Sequence, residues 1–505
     1  MRAPLQGATF AASVGFVTVE PLHYVSTRDA AKSPQRFPFE DVLLAGLAHD
    51  GGLYVPERVP SFSASEIAGF AGLSYADLAA RVMAPFIGDA IPPAELRRLI
   101  GEAYAGFGHE AVAPLKQLDS GLFLLELFHG PTLAFKDYPL QLVGRLFDAV
   151  LTRRRRRVTI IGTTSGDTGS AAIEACRDRD AVDVFILYPK GRTSEVQRRQ
   201  MTTVASPNAH AIAVEGTFDD CQDLVKAMFA DAAFRDELGL SAVNSINWAR
   251  VMAQIVYYFA AAVALGAPHR PVAFTVPTGN FGNVLAAHMA RRMGLPIAQL
   301  AIATNRNDIL ARFLATGKMT IGTVEPSLSP SMDIQVSSNF ERILLELKGG
   351  SGGAVAAAMR EFRAGGTLPV SETEWRKAQS LFISHRVDDS GTTAEIARTW
   401  KATGELIDPH TAVAVATARA ARRDPAVPMV ALATAHPAKF PEAVEAATGR
   451  RPALPPAVAE LMARPERTIV LPNALARVED FVRRHARPLG HNSRAAPEAV
   501  REAAS

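Results

Sequence analysis

Cysteine is scarce in this 505-residue chain, with only Cys176 and Cys221 present. Two cysteines cannot build a disulfide framework, and neither CxxC nor HExxH occurs among the cysteines and the 12 histidines, so no zinc-ligand spacing exists and no metal is expected. A reducing, cytoplasmic home fits. Excess charge of one sign is also missing. Lys plus Arg number 54 and Asp plus Glu 51, a net of +3, too small to draw nucleic acid by its field. No apolar run approaches the ~18 residues of a bilayer span, and the N-terminus lacks a compact apolar region before a cleavage signature. Membrane and nucleic acid are therefore not the expected partners. What is abundant is apolar side chain, 48% of residues, ample for packed cores at a length that suggests about three domains of ~150 residues.

Residues 1–22 are small and weakly apolar and read as a flexible extension without the Arg-rich pattern of a transit peptide. The string LHYVSTRD makes Leu22 a natural alternative start. From 39 to 108 apolar residues recur every three or four positions, with serines and the Pro93 step as helix starts, so a helical N-terminal domain is expected over 23–110. Beyond it, apolar runs at 122–127, 158–161, 184–187, 211–214, 272–276, 300–303 and 428–434 alternate with helical stretches. That alternation predicts an α/β protein with mostly parallel sheets. The catalytic region is expected over 111–487, with a large domain from 111–156 and 265–487 and a small one from 157–264. GGSGG at 349–353 and RPALPP at 451–456 read as surface loops. The tail 488–505 has no apolar face and reads as disordered. The five arginines at 153–157 read as a solvated helix end.

Three turns follow predicted strands, where an open α/β sheet offers backbone amides to ligands. In VTIIGTTSGDTGSAAIEAC, Thr164, Ser165, Gly166, Asp167, Thr168 and Gly169 supply amides and hydroxyls suited to an anion, although the string also serves as an ordinary capping turn. In VAFTVPTGNFGNVLAAHMA, Gly279, Asn280, Phe281, Gly282 and Asn283 form a phosphate nest at a helix start. With no lysine in it, the nest suits a small fixed phosphate better than a nucleoside triphosphate; a turn with structural glycines is the plain alternative. In LELFHGPTLAFKDYPL, Lys136 follows Leu133, Ala134 and Phe135, an apolar wall that would lower the pKa of an amine and free it for covalent chemistry, although a lone lysine is ordinarily a surface residue. A reactive lysine, a phosphate nest and an anion-binding turn together are the parts required by pyridoxal 5'-phosphate and its amino-acid substrate.

HGPTLAFKD (129–137), TSGDTGSAA (164–172), YPKGRTSEVQRRQM (188–201), SINWARVMAQIVYYF (245–259), PTGNFGN (277–283), SPSMDIQVSSNFER (329–342) and TAHPAKF (434–440), with YVSTRD and DGGLYVP near the start, resemble the threonine synthases of bacteria and fungi. The resemblance runs in order over roughly 24–469. It implies pyridoxal-phosphate fold type II (tryptophan synthase β-like), with two open α/β domains and an added helical N-terminal domain. It implies that Lys136 carries the cofactor, that Gly279, Asn280, Phe281 and Asn283 hold its phosphate, and that Thr434 meets the pyridine nitrogen. The turn 164–169 would take the substrate carboxylate. The family match does not name the groups for the substrate phosphate; Lys190, Arg192 and Ser194 are the candidates, on a basic, hydroxyl-bearing loop, with Arg28 behind them.

The activity implied is a carbon–oxygen lyase acting on phosphates, converting O-phospho-L-homoserine and water to L-threonine and phosphate in a monomer or homodimer. A related phospho-lyase releasing 2-oxobutyrate, ammonia and phosphate would use the same motifs. A non-catalytic phosphate sensor has no use for a reactive amine, and serine hydrolysis at Ser165 lacks the GxSxG elbow.

Overall fold

Ser63 and Ser74 each precede an apolar-periodic stretch, and in the computed structural model, which describes residues 21–242 and 244–488, both cap helices. Ser63 accepts from the Glu66 amide at 3.3 Å while Glu66 accepts from the Ser63 amide at 2.7 Å, and Ser74 accepts from the Asp77 amide at 3.1 Å. The second helix, Tyr75–Ile87, buries Leu78, Val82 and Phe86 on one face, at the 3.6-residue period. Helix Pro93–Tyr104 starts on a proline, whose missing N–H costs nothing there. Two short strands, β1 (Tyr24–Ser26) and β2 (Tyr54–Pro56), pair antiparallel beside these helices. The extension 1–22 lies outside the described residues except for its last two, and the tail except for Pro488.

The remaining strands are β3 (Leu115–Gln117), β4 (Leu122–Glu126), β5 (Val158–Thr163), β6 (Val182–Pro189), β7 (Ala209–Glu215), β8 (Leu240–Ser241), β9 (Val272–Pro277), β10 (Ile297–Thr304), β11 (Met319–Thr320), β12 (Thr367–Leu368), β13 (Ile383–Arg386), β14 (Met429–Ala433) and β15 (Ile469–Pro472). One sheet runs β13-β10-β9-β14-β4-β3, and a second runs β15-β7-β6-β5-β8. Every pair in them is parallel except β3 with β4. Each of the seven predicted apolar runs is a strand. Missed were the two- to four-residue strands, too short to show a period of their own.

The domain boundaries drawn from sequence differ from the fold at two places. Strand β15 pairs with β7, and the helix Leu475–His485 buries Val478 and Val482 against the second sheet. This stretch therefore belongs to the small domain, because β7 otherwise leaves a bare edge and one apolar face uncovered. Arg487 closes it, donating to Asp183 Oδ1 at 2.7 Å. Conversely, the helix Trp248–Ala264 packs on the helices Asp137–Arg153, Gly282–Arg292 and Tyr75–Ile87, which makes it part of the large domain. Its Trp248 ring lies tilted against Tyr24 and Phe86, with ring centroids 6.0 and 5.7 Å apart, welding the N-terminal domain to the core.

The arginine run is less solvated than its composition suggests. Arg153 pairs with Glu40 at 3.2 Å and Glu95 at 3.3 Å, and Arg154 pairs with Glu40 at 2.7 Å and Asp41 at 2.8 Å, so two of the five clamp the N-terminal domain. Among the described residues no helix is long and apolar enough to cross a membrane.

Candidate active site

Strands β9, β14 and β4 are neighbours in the first sheet, and each ends in a segment singled out above. The nest follows β9, Thr434 follows β14, and the loop carrying Lys136 follows β4. Two inter-strand spacings separate the outer pair, about 10 Å, the reach of a cofactor-sized molecule. Thr434 is 5% exposed, and its carbonyl accepts from the Phe135 amide at 2.9 Å, which pins it beside the lysine.

The nest is shaped by close backbone contact. A Cβ at Gly279 would lie 2.6 Å from the Ser331 carbonyl, so only glycine fits. Phe281 takes φ +64 and buries its ring against Phe340 and Phe382, which turns the chain into the helix Gly282–Arg292 with its first amides free of intrahelical acceptors. Segment 329–342 fastens the turn from below: Ser337 Oγ donates to the Gly279 carbonyl at 2.6 Å and Asn339 Nδ2 to the Asn280 carbonyl at 2.9 Å. Asn283 Oδ1 accepts from Tyr257 and Tyr258 at 2.5 and 2.7 Å. With its oxygen so occupied, its Nδ2 is buried without a partner, a donor waiting for an acceptor.

Lys136 is 8% exposed, with Nζ 4.9 Å over the Phe135 ring. Burial pulls its pKa down; Asp167 acts against that, while Lys439 and Arg250 reinforce it. The loop is braced by Asp137, which accepts from the Thr132 amide at 2.8 Å and from its hydroxyl at 2.6 Å. Burial pushes the Asp137 carboxyl up to about 6 against those bonds.

In the 164–169 turn, Thr164 Oγ1 accepts from the amides of Gly166 and Gly169 at 2.9 and 2.8 Å. That leaves the first-turn amides of Asp167 and Thr168 in the helix Asp167–Cys176 as orphan donors for an anion. Gly166 sits at φ +143, with the Gln197 side chain 2.3 Å from where a Cβ would be. Asp167 itself points away to side chains. Burial opposes its charge, but Lys439 and Lys136, with hydrogen bonds from Lys439 and Gln197, outweigh burial and hold its pKa well below the carboxylate range.

Of the candidates for the substrate phosphate, Lys190 and Arg192 stand on exposed surface, while Ser194 and Arg28 are engaged by other protein groups. Lys190 is exposed and pairs with Glu215 at 2.9 Å, both side chains 53% exposed, and Arg192 is exposed. Ser194 caps the helix Glu195–Thr202, accepting from the Gln197 amide at 3.3 Å. The guanidinium of Arg28 is taken up by Glu341, at 2.9 and 2.7 Å. The loop carries Lys190 outward because Gly191 turns the chain at φ +73 once β6 has ended.

Arg250 was not singled out from sequence. It is 3% exposed, and Nε and Nη1 have no partner; burial brings its pKa down to about 10. A signal was present, since no Asp or Glu occurs anywhere in 244–264, leaving an arginine in an apolar helix with no local counter-charge. Lys439 was also missed. It is fully buried and lies 2.7 Å from Asp167 Oδ1, a partner far away in sequence that no local pattern reveals.

An enclosed amine, a nest of amides completed by an unpartnered Asn283 donor, and Thr434 between them fit pyridoxal phosphate, and residues 108–368 match the family model for pyridoxal-phosphate dependent enzymes. Fold and site together define a pyridoxal-phosphate-dependent enzyme of fold type II. Models for the threonine synthase N terminus and C-terminal region match residues 23–104 and 411–482. The chain is 58% identical over 465 residues to the threonine synthase of Pseudomonas aeruginosa, covering 92% of this chain and 98% of that one. It superposes on the crystal structure of pyridoxal-phosphate-bound threonine synthase from Brucella melitensis with a TM-score of 0.90 at 52% identity, over 92% of this chain and all of that one. Against the yeast threonine synthase structure the TM-score is 0.88 at 39% identity, over 92% and 98% of the two chains. The chain belongs to the threonine synthase family.

Proposed function

We propose that the protein converts O-phospho-L-homoserine and water to L-threonine and phosphate. The observation that carries this reading is Arg250, a guanidinium buried at 3% exposure whose Nε and Nη1 have no partner. The nest at 279–283 answers to the cofactor phosphate; Arg250 then answers to a second phosphate, the substrate's.

Pyridoxal phosphate, when bound, supplies the electron sink for a carbanion at the substrate Cα. The chain supplies the rest. The orphan amides of Asp167 and Thr168 take the substrate carboxylate, and Arg250 is favoured over the exposed Lys190 and Arg192 for the substrate phosphate because a desolvated guanidinium binds a dianion more strongly. Thr434 would present a neutral hydroxyl to the pyridine nitrogen and would not force it to stay protonated. Lys136, as a free amine, takes the Cα proton. A second proton leaves Cβ as the γ-phosphate departs, Cγ takes up a proton, water adds its hydroxyl at Cβ, and a proton returns to Cα, which completes the balance. Two buried free cysteines support a reducing, cytoplasmic location.

Product analysis on O-phosphohomoserine tests the proposal. Threonine and phosphate are expected in equal amounts; 2-oxobutyrate as the main organic product would replace this reading with the phospho-lyase one.

A further inference from the structure

Lys439 has no exposed side-chain surface, so its charge is answered only by the groups that touch it. Its Nζ lies 2.7 Å from Asp167 Oδ1 and donates to the Thr132 carbonyl at 2.7 Å. Asp167 Oδ1 also accepts from Gln197 Nε2 at 2.9 Å. The other oxygen, Oδ2, accepts from Ser331 Oγ at 3.4 Å and stands 3.8 Å from Lys136 Nζ. One carboxylate thus faces two lysines, and the contact at hydrogen-bond distance goes to Lys439.

We propose that Lys439 is a positioning residue for Lys136: by claiming the Asp167 carboxylate, it prevents that carboxylate from holding the Lys136 side chain as an ammonium and leaves the amine free to react. The charged groups acting on Lys136 come from three further elements besides its own. They are Asp167 at the head of its helix, Lys439 in the turn Pro437–Lys439, Arg250 on the helix Trp248–Ala264, and the neighbouring Asp137, whose carboxylate is turned to Thr132. Three cations against two carboxylates in a desolvated site disfavour a charged Lys136. Removing Lys439 evens that count and gives Asp167 a single lysine partner.

The proposal rests on Lys136 being the reactive amine, and its test reads that amine directly rather than threonine formation. The full chain freed of cofactor is labelled with trinitrobenzenesulfonate at a series of pH values, and modification of the Lys136 peptide is followed by mass spectrometry. In the wild type the midpoint should fall below 10.5, the value of an ordinary lysine. Lys439→Met should move it up by about one unit or more, Asp167→Asn should move it down, and Lys439→Arg, which keeps the cation, should stay near wild type. A purely structural Lys439, serving only to tie the Thr132 loop, would lower stability in Lys439→Met and leave the midpoint where it was; that result overturns the proposal. If Lys439→Met does not fold, Asp167→Asn decides: an unchanged or raised midpoint shows that Asp167 does not set the charge of Lys136, and the proposal fails.

Discussion

The nest at 279–283 and the pocket around Lys136 stand at the carboxyl ends of strands in one sheet, yet they handle charge in different ways. The nest is a local object. Its donors are consecutive amides and one asparagine, and the rest of the chain only braces them through Ser337, Asn339, Tyr257 and Tyr258. The lysine pocket is assembled from afar, with Asp167, Gln197, Arg250, Ser331 and Lys439 arriving from different elements. Dipoles fixed by a turn can hold a dianion without help, whereas the charge of a buried amine depends on every ion within a few ångströms. Mutations in the pocket should therefore change chemistry, and mutations in the nest should change cofactor retention.

The sharpest break is Lys136→Ala. Turnover should fall by several powers of ten, while the nest still binds cofactor; borohydride should fix cofactor to the wild-type chain at Lys136 and not to the variant. Wild-type turnover in the variant would remove the pocket from the mechanism altogether.

Next in size is Arg250→Ala, expected to lower kcat/KM for O-phosphohomoserine by about 10- to 100-fold through the loss of a charged hydrogen bond to the substrate, with cofactor content unchanged. Lys190→Ala is the matched control and should leave KM within about twofold. The opposite pattern would return the substrate phosphate to the 188–201 loop.

Asn283→Asp tests the nest. Tyr257 and Tyr258 would still bind one oxygen, and the other would face a phosphate in place of the lost donor. Cofactor affinity should drop by about 1–3 kcal/mol, measured by equilibrium dialysis, with little change in kcat at saturating cofactor. Unchanged affinity would make the turn purely structural.

The smallest effect concerns pH. Burial, aided by neighbouring His129, pulls the His436 pKa down to about 4. It stays neutral in the folded protein while the unfolded chain takes up a proton near 6.5. Between pH 6.5 and 4 the unfolded state binds more protons, so stability falls as pH drops through that window and levels off below it. Urea midpoints should show this slope, and His436→Asn, which can still accept from the Ala438 amide, should flatten it in part; His210, also lowered to about 4 by burial, accounts for a further share in the small domain. An identical slope in the variant would mean that His436 is not held neutral.

The two regions also differ in how far they could be read without a structure. GNFGN is legible as two glycines and two asparagines in five residues after a strand, although an ordinary turn uses the same residues, and Lys136 gains its meaning only in the company of that turn and the one at 164–169. The pairing of the 469–472 strand is not legible in sequence, because its partner, β7, lies about 250 residues earlier and parallel pairing leaves no turn signal between partners. Lys190 and Arg192 attracted attention as charges after a strand, but sequence does not report exposure, and the fold turns them outward.

Local pattern alone determined the alternation of strands and helices and the helical N-terminal region, and it marked the 279–283 turn and Lys136 as candidates, because each depends on residues within one turn or one strand of each other. Tertiary structure alone decided that Lys439 claims Asp167, that Arg250 is left without a counter-charge, and that three parallel strands bring nest, threonine and lysine into one row. Those outcomes depend on distances between residues remote in the chain, and electrostatic energy in a desolvated site is set by such distances and by burial, which only the packed fold fixes.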